Sequence, residues 1–193
     1  MPSDIEDENE NDWLAICKEA DYFEDNKDYK KAINIYEKML EMFPSKRDSA
    51  WFCMGLAKRR SNDYEGAIEA YTQSIKLRPD YRSYANRASA YIEIDEEEKA
   101  FNDLEEALKL KPDDFVALFH RGSIHFKKGN YRESLIDLDK AINNSLDKAI
   151  AYRRRAFAKY KLEDKKGAFE DWTKAAEMGD KFASQALKTY LNN

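Results

Sequence analysis

Few side chains in this 193-residue chain are placed to do chemistry. Its two histidines are His120 and His125. Five residues along a helix is a rotation of about 500°, so the two rings diverge by about 140° and cannot share a metal ion. Its two cysteines, Cys17 and Cys53, form no C-x-x-C pair and have no sequence-adjacent histidine, so they read as small, partly buried side chains. No G-x-G-x-x-G or G-x-x-x-x-G-K-[ST] loop cradles a phosphate. Carboxylates are abundant, but on amphipathic helices they belong to solvated faces, and none is paired for acid–base work. The expectation is a chain with no catalytic residue, no metal site and no cofactor, and so not an enzyme.

The wider composition agrees. Charged residues make up 37% of the chain and hydrophobic residues 42%, with a net charge of -5. Asp4, Glu6, Asp7, Glu8, Glu10 and Asp12 carry that excess within the first twelve residues, and the remainder is close to neutral. Bulk acidity therefore says little about partners, and outside the surface described below no basic excess points to nucleic acid. No apolar run reaches the length of a membrane span. The segment Met-Pro-Ser-Asp-Ile-Glu has neither the basic flank nor the apolar stretch of a secretion signal. Two cysteines are too few for a disulfide framework, which fits a reducing compartment, and the expected location is cytoplasmic. Six glycines and four prolines imply long helices and short turns.

What must position any functional side chain is a repeat. Ala32, Tyr36, Met39 and Pro44 share their offsets with Ala67, Tyr71, Ser74 and Pro79. The pattern returns as Ala100, Leu104, Ala107 and Pro112, as Ser134, Leu138, Ala141 and Leu146, and as Ala168, Trp172, Ala175 and Asp180. Twelve residues before each leading small residue stands another: Ala20, Gly55, Ala88, Gly122 and Ala156. Four residues earlier stands a bulky one: Ile16, Trp51, Tyr84, Leu118 and Tyr152. Spacings of four and seven put these residues on one face of a helix, so each unit reads as two helices. The small residue lets a neighbouring backbone approach, and proline ends the pair. Helix pairs are expected near 11–25 and 28–42, 47–60 and 63–77, 81–94 and 97–110, 115–128 and 131–144, and 148–161 and 165–177. A last helix near 181–191, with Phe182, Ala186, Leu187 and Tyr190 on one side, would cap the array. Residues 1–10, all polar or acidic except Met1, Pro2 and Ile5, are expected to be a disordered tail ahead of a single domain spanning 11–193.

The Trp51, Met54, Gly55, Ala67, Tyr71 and Pro79 set resembles the tetratricopeptide repeat, a unit of about 34 residues made of two antiparallel helices. The resemblance runs over roughly residues 13–180, as repeats at 13–46, 47–80, 81–114, 115–148 and 149–180. It implies an all-α, right-handed α-solenoid in which the first helices of successive units line a concave groove. With Trp51 at the fourth position, the second unit presents Phe52, Leu56, Arg59 and Arg60 there. The third presents Arg82 and Asn86. The fourth presents Phe119, His120, Phe126 and Lys127, and the fifth Arg153, Arg154, Phe157 and Lys161. The first unit differs, presenting Leu14, Cys17, Lys18, Asp21, Glu24 and Asp25. In units two to five seven bases face the single acid Glu93.

The function this implies is a non-enzymatic protein-interaction scaffold whose groove takes a partner's peptide segment rich in acidic and apolar residues. The alternative is a self-associating or co-chaperone-like protein. The carboxylate clamp that some family members use is incomplete here. Tyr84-Ala85-Asn86-Arg87-Ala88 resembles its middle element and Tyr152-Arg153-Arg154-Arg155-Ala156 its last. They lie two units apart, with Phe52, Leu56, Val116 and His120 where the other clamp residues belong.

Overall fold

The structure, a computed structural model, describes residues 3–144 and 148–190, with side chains from Glu10 onward. Leu146, Met1, Pro2 and residue 191 lie outside the described residues. Among the described residues there are eleven α-helices and no strand: α1 (Ser3–Asp25), α2 (Tyr29–Met42), α3 (Arg47–Arg60), α4 (Tyr64–Leu77), α5 (Tyr81–Glu93), α6 (Glu97–Leu110), α7 (Phe115–Lys127), α8 (Tyr131–Asn143), α9 (Ala149–Lys161), α10 (Lys165–Glu177) and α11 (Lys181–Tyr190). The class is all-α, a helical repeat of antiparallel pairs. Apart from the start of α1, every boundary falls within one residue of its expected position. The acidic stretch from Ser3, expected to be disordered, is helical and continuous with α1.

The helix termini show why the chain turns where it does. Asp28, Asp63 and Asp164 cap α2, α4 and α10, each accepting a backbone N–H three residues on. Asp114 caps α7 on Ala117 N, and Asp80 caps α5 on Arg82 N. Between the two helices of each pair one residue adopts the left-handed conformation: Lys27 (φ 59°), Asn62 (64°), Asp95 (59°), Gly129 (79°) and Glu163 (66°). This is the reversal that closes a helix C-terminus, and only one of the five positions has the glycine that takes it without strain.

Two compact units divide the chain, Met1–Asp103 and Leu104–Asn193. Such a division is what a repeat architecture gives, since each repeat touches only its neighbours. In the first unit Trp13 packs edge-on against Phe43 with ring centroids 5.3 Å apart, over Ile35, Tyr36, Met39 and Met54. Tyr71 is fully buried with Phe52 and Leu56 against it. An added Cβ at Gly55 would lie 2.5 Å from Tyr71 Cε1, so the small residue there is a packing requirement. In the second unit Trp172 is fully buried, with Phe157, Tyr160, Phe169 and Tyr190 around its ring. The bulky position of the second helices, held by Tyr36, Tyr71, Leu104, Leu138 and Trp172, is at most 3% exposed in every repeat. Burying each such side chain contributes about 2 kcal/mol.

A second periodic feature is polar. Arg87, Arg121 and Arg155 recur every 34 residues, and each pairs two-pronged with an aspartate sixteen residues on. Arg87 holds Asp103 through two bonds of 2.7 Å, Arg121 holds Asp137 at 2.7 and 2.8 Å, and Arg155 holds Asp171 at 2.7 and 2.6 Å. The remaining nitrogen reaches back to the preceding second helix: to Thr72 Oγ1 at 2.8 Å, Glu105 at 3.2 Å and Asp139 at 2.8 Å respectively. Each arginine thus staples three helices. Hydrogen bonding and the facing carboxylates raise all three guanidinium pKa values, outweighing the opposing effect of burial. At the same offsets the second repeat has Met54 and Ala70, both buried and apolar.

Candidate peptide-binding surfaces

The first unit holds an open cleft of about 550 Å3, bounded by the start of α3, the loops before α3 and α5, and the inner side of α1. Trp13, Cys17, Lys46, Ser49, Phe52, Cys53, Arg78 and Arg82 are among its lining residues. The Arg82 guanidinium lies 5.3 Å above the Phe52 ring, and the Lys46 ammonium 5.2 Å above Trp13. Their charges are already answered. Arg82 pairs with Asp80 at 2.9 Å, Arg78 with Asp48, and Lys46 with Glu10. Burial, reinforced by the neighbouring Cys17 thiol and by Glu24 and Asp21, pushes the Cys53 thiol up to about 12, so it stays protonated and unreactive at neutral pH.

Other expected groove residues of this unit lie deeper along the same helices. Leu56 packs with Phe52 on Tyr71. Arg60 is exposed, but its guanidinium pairs with Glu24, a buried carboxylate that also accepts a 2.9 Å bond from Tyr36 Oη. The Asn86 amide donates to Arg82 O at 2.8 Å, so it is held by its own helix. Arg59 is half-buried, with Nε lacking a hydrogen bond among the described residues, as does Tyr71 Oη. Burial pushes the Tyr71 phenol up to about 12 against the pull of the nearby Arg59 and Arg60 charges.

In the second unit the side chains of α7 and α9 meet. Arg154 reaches from α9 to Ser123 Oγ on α7, and its guanidinium lies 5.0 Å above the Phe119 ring. Ser123 Oγ in turn donates to Phe119 O at 2.6 Å. No carboxylate faces Arg154 among the described residues. Desolvation, with the adjacent Arg153 adding to it, lowers its pKa, which means the charge is held there at a cost. His120 packs edge-on against Phe119 at 5.4 Å, and Phe126 lies 5.5 Å from Tyr131. Phe157 is core-facing, 5.1 Å from Trp172. Lys127 and Lys161 are exposed at the far ends of α7 and α9. Arg153 is 3.4 Å from Asp180 and 4.9 Å below the ring of Phe182. Phe182 and Asp180 are site neighbours that sequence reasoning assigned elsewhere, because α11 was read as a cap. Asp180 accepts from Ala183 N at the start of α11, as Asp114 does from Ala117 N at the start of α7, so α11 begins like another first helix with Phe182 at its second position.

Structure therefore separates the basic side chains that charge counting had grouped. Arg60, Arg82 and Arg153 have carboxylate partners, whereas Arg59 and Arg154 have none among the described residues.

Comparison with known proteins identifies the repeat. Models of the tetratricopeptide repeat match residues 15–46, 49–81, 81–114 and 98–148. Human sperm-associated antigen 1 is 28% identical over 180 residues, 86% of this chain but 19% of that protein. The small glutamine-rich tetratricopeptide repeat-containing protein 2 of Saccharomyces cerevisiae is 33% identical over 106 residues, 53% of this chain and 31% of that one. The chain thus spans less than a third of the length of these curated relatives. Among solved structures, MamA from Desulfovibrio magneticus RS-1 superposes with a TM-score of 0.72 at 18% identity, over 85% of this chain and 93% of that one. YrrB, described as a tetratricopeptide-repeat protein with an unusual peptide-binding site, superposes with a TM-score of 0.71 at 18% identity over 95% of each. Matched over most of its length and built of the corresponding helix pairs, the chain belongs to the tetratricopeptide-repeat family.

Proposed function

We propose that this chain is a non-enzymatic protein-interaction scaffold that binds an acidic, apolar peptide segment of a partner, with Arg154 as the anchoring cation. One observation carries this reading. Arg154 is half-buried and desolvated on the ring of Phe119 and a serine hydroxyl, yet no carboxylate among the described residues neutralises it. A guanidinium held this way gains most from an incoming carboxylate, because its desolvation has already occurred in the free protein. Phe119 supplies apolar contact beside it, and Phe182 does so at the adjoining Arg153. Membership of a family that includes a solved protein described by its peptide-binding site supports the same reading, as do relatives such as a mitochondrial import receptor subunit.

Fluorescence anisotropy with two labelled decapeptide pools tests it, one of Asp, Glu, Phe and Leu and the other with Lys and Arg in place of the acids. The acidic pool should bind more tightly and weaken with salt, and Arg154→Ala should cost about tenfold in affinity. Equal binding of the two pools, or an Arg154→Ala protein that binds as before, would overturn the proposal.

A further inference from the structure

The first two repeats carry a polar pair where the later repeats carry an apolar one. Twelve residues before the tyrosine of the second helix stands Glu24 in the first repeat, ahead of Tyr36, and Arg59 in the second, ahead of Tyr71. The same offsets give Ile92 with Leu104, Phe126 with Leu138 and Tyr160 with Trp172. In the first repeat the polar pair is satisfied. Tyr36 Oη donates to Glu24 Oε1 at 2.9 Å, and Oε2 of that buried carboxylate pairs with Arg60. A carboxylate is thus held between a phenol and a guanidinium. The second repeat has the phenol and the guanidinium, but no carboxylate among the described residues joins them. Tyr71 is fully buried, and Arg59 lies near enough to oppose the rise in pKa that burial imposes on the phenol. Neither Tyr71 Oη nor Arg59 Nε has a hydrogen-bond partner among the described residues. Buried polar groups are ordinarily paired, and leaving one unpaired costs the free protein stability.

We infer that Tyr71 and Arg59 form a carboxylate-binding subsite in the first unit, which takes an aspartate or glutamate side chain of the partner as Tyr36 and Arg60 take Glu24. At neutral pH the phenol stays protonated, because burial pushes it up to about 12, so it acts as a donor. The guanidinium offers donors alone. Two donors on one spot, one of them charged, favour an anionic acceptor over a neutral amide. Arg59 is only half-buried, so a ligand meets it from solvent, and a change of its rotamer opens the way to the phenol. Phe52 and Leu56, which pack against Tyr71, supply apolar contact to the stem of the incoming side chain. The ligand's nature rests on the acidic-peptide reading above, but the subsite lies in the other unit from Arg154 and can be tested apart from it.

The probe is the α-amide of N-acetylglutamic acid, a single glutamate side chain between two peptide groups. It is titrated at constant ionic strength while the Nε–Hε NMR signals of Arg59 and Arg154 are followed. The Arg59 signal should shift progressively. Tyr71→Phe, which removes only the hydroxyl, should raise the midpoint of that shift about tenfold and leave the Arg154 response unchanged. The same variant should unfold at no lower urea concentration than the wild type, since the lost hydroxyl had no partner in the free protein. An Arg59 signal that stays in place, or one that responds identically in Tyr71→Phe, would overturn the inference even if Arg154 responds. An Arg59 response that depends on Tyr71 would support it even if Arg154 is silent, which would count against the proposed anchor instead.

Discussion

At the scale of single residues, what distinguishes the basic side chains is their company. Arg60 and Arg154 look equivalent in the sequence, each a base on the groove-facing side of a first helix. In the structure Arg60 is answered by Glu24, which Tyr36 also holds, while Arg154 rests on an aromatic ring and a hydroxyl. Charge counting cannot separate them, because Glu24 is 36 positions from Arg60 and its pairing is a matter of packing. The left-handed turn residues are another such case. Glu163 stands where Gly129 stands in the preceding pair, and it holds φ at 66° with an exposed side chain. A side chain in this region is strained by about 1 kcal/mol, so Glu163→Gly should stabilise the protein by about 0.5–1 kcal/mol in urea unfolding. A loss of stability would mean that the Glu163 side chain does something the turn geometry does not show.

At the scale of helices, the apolar pattern was legible in the sequence and the polar one was missed. Small and bulky residues at fixed offsets gave every helix pair, and the buried Tyr71, Leu138 and Trp172 sit where that spacing requires. α1 runs back to Ser3, ahead of the expected residue 11, and a run of acids satisfies the criteria for a disordered tail and for the first turns of a helix equally well. The Arg87, Arg121 and Arg155 staples were readable too, as a 34-residue repeat of Arg with Asp sixteen positions on, but only a search for charged periodicity would have found them. The second repeat shows what replaces a staple: Met54 and Ala70, buried and well packed. That substitution makes a prediction. Arg121→Met alone should cost about 3 kcal/mol, since it strands the buried Asp137 without its partner. Adding Asp137→Ala should recover most of that loss and bring thermal unfolding back near the wild type. If the double variant is no more stable than the single one, the staple stabilises by something other than pairing a buried charge.

For the whole molecule, the net charge of -5 misdescribes what a partner would meet. The acids are concentrated in α1, and Arg60, Arg82, Arg87, Arg121, Arg153, Arg155 and Lys159 on the first helices are already paired with carboxylates. The fold class was legible because a repeat states its pattern five times. Function was less so, because one repeat pattern serves many partners, and the register that selects Arg154 selects Arg60 and Arg153 equally, while only packing gives Arg60 and Arg153 their carboxylate partners. The central claim is that the second unit presents Arg154 to an acidic peptide while the staple arginines are already satisfied. It is tested most directly by nitrogen-15 NMR of the guanidinium Nε–Hε groups during titration with the acidic, apolar decapeptide pool. The account predicts that the Arg154 signal shifts progressively while those of Arg87, Arg121 and Arg155 stay in place. An Arg154 signal that does not move while the peptides bind would contradict it.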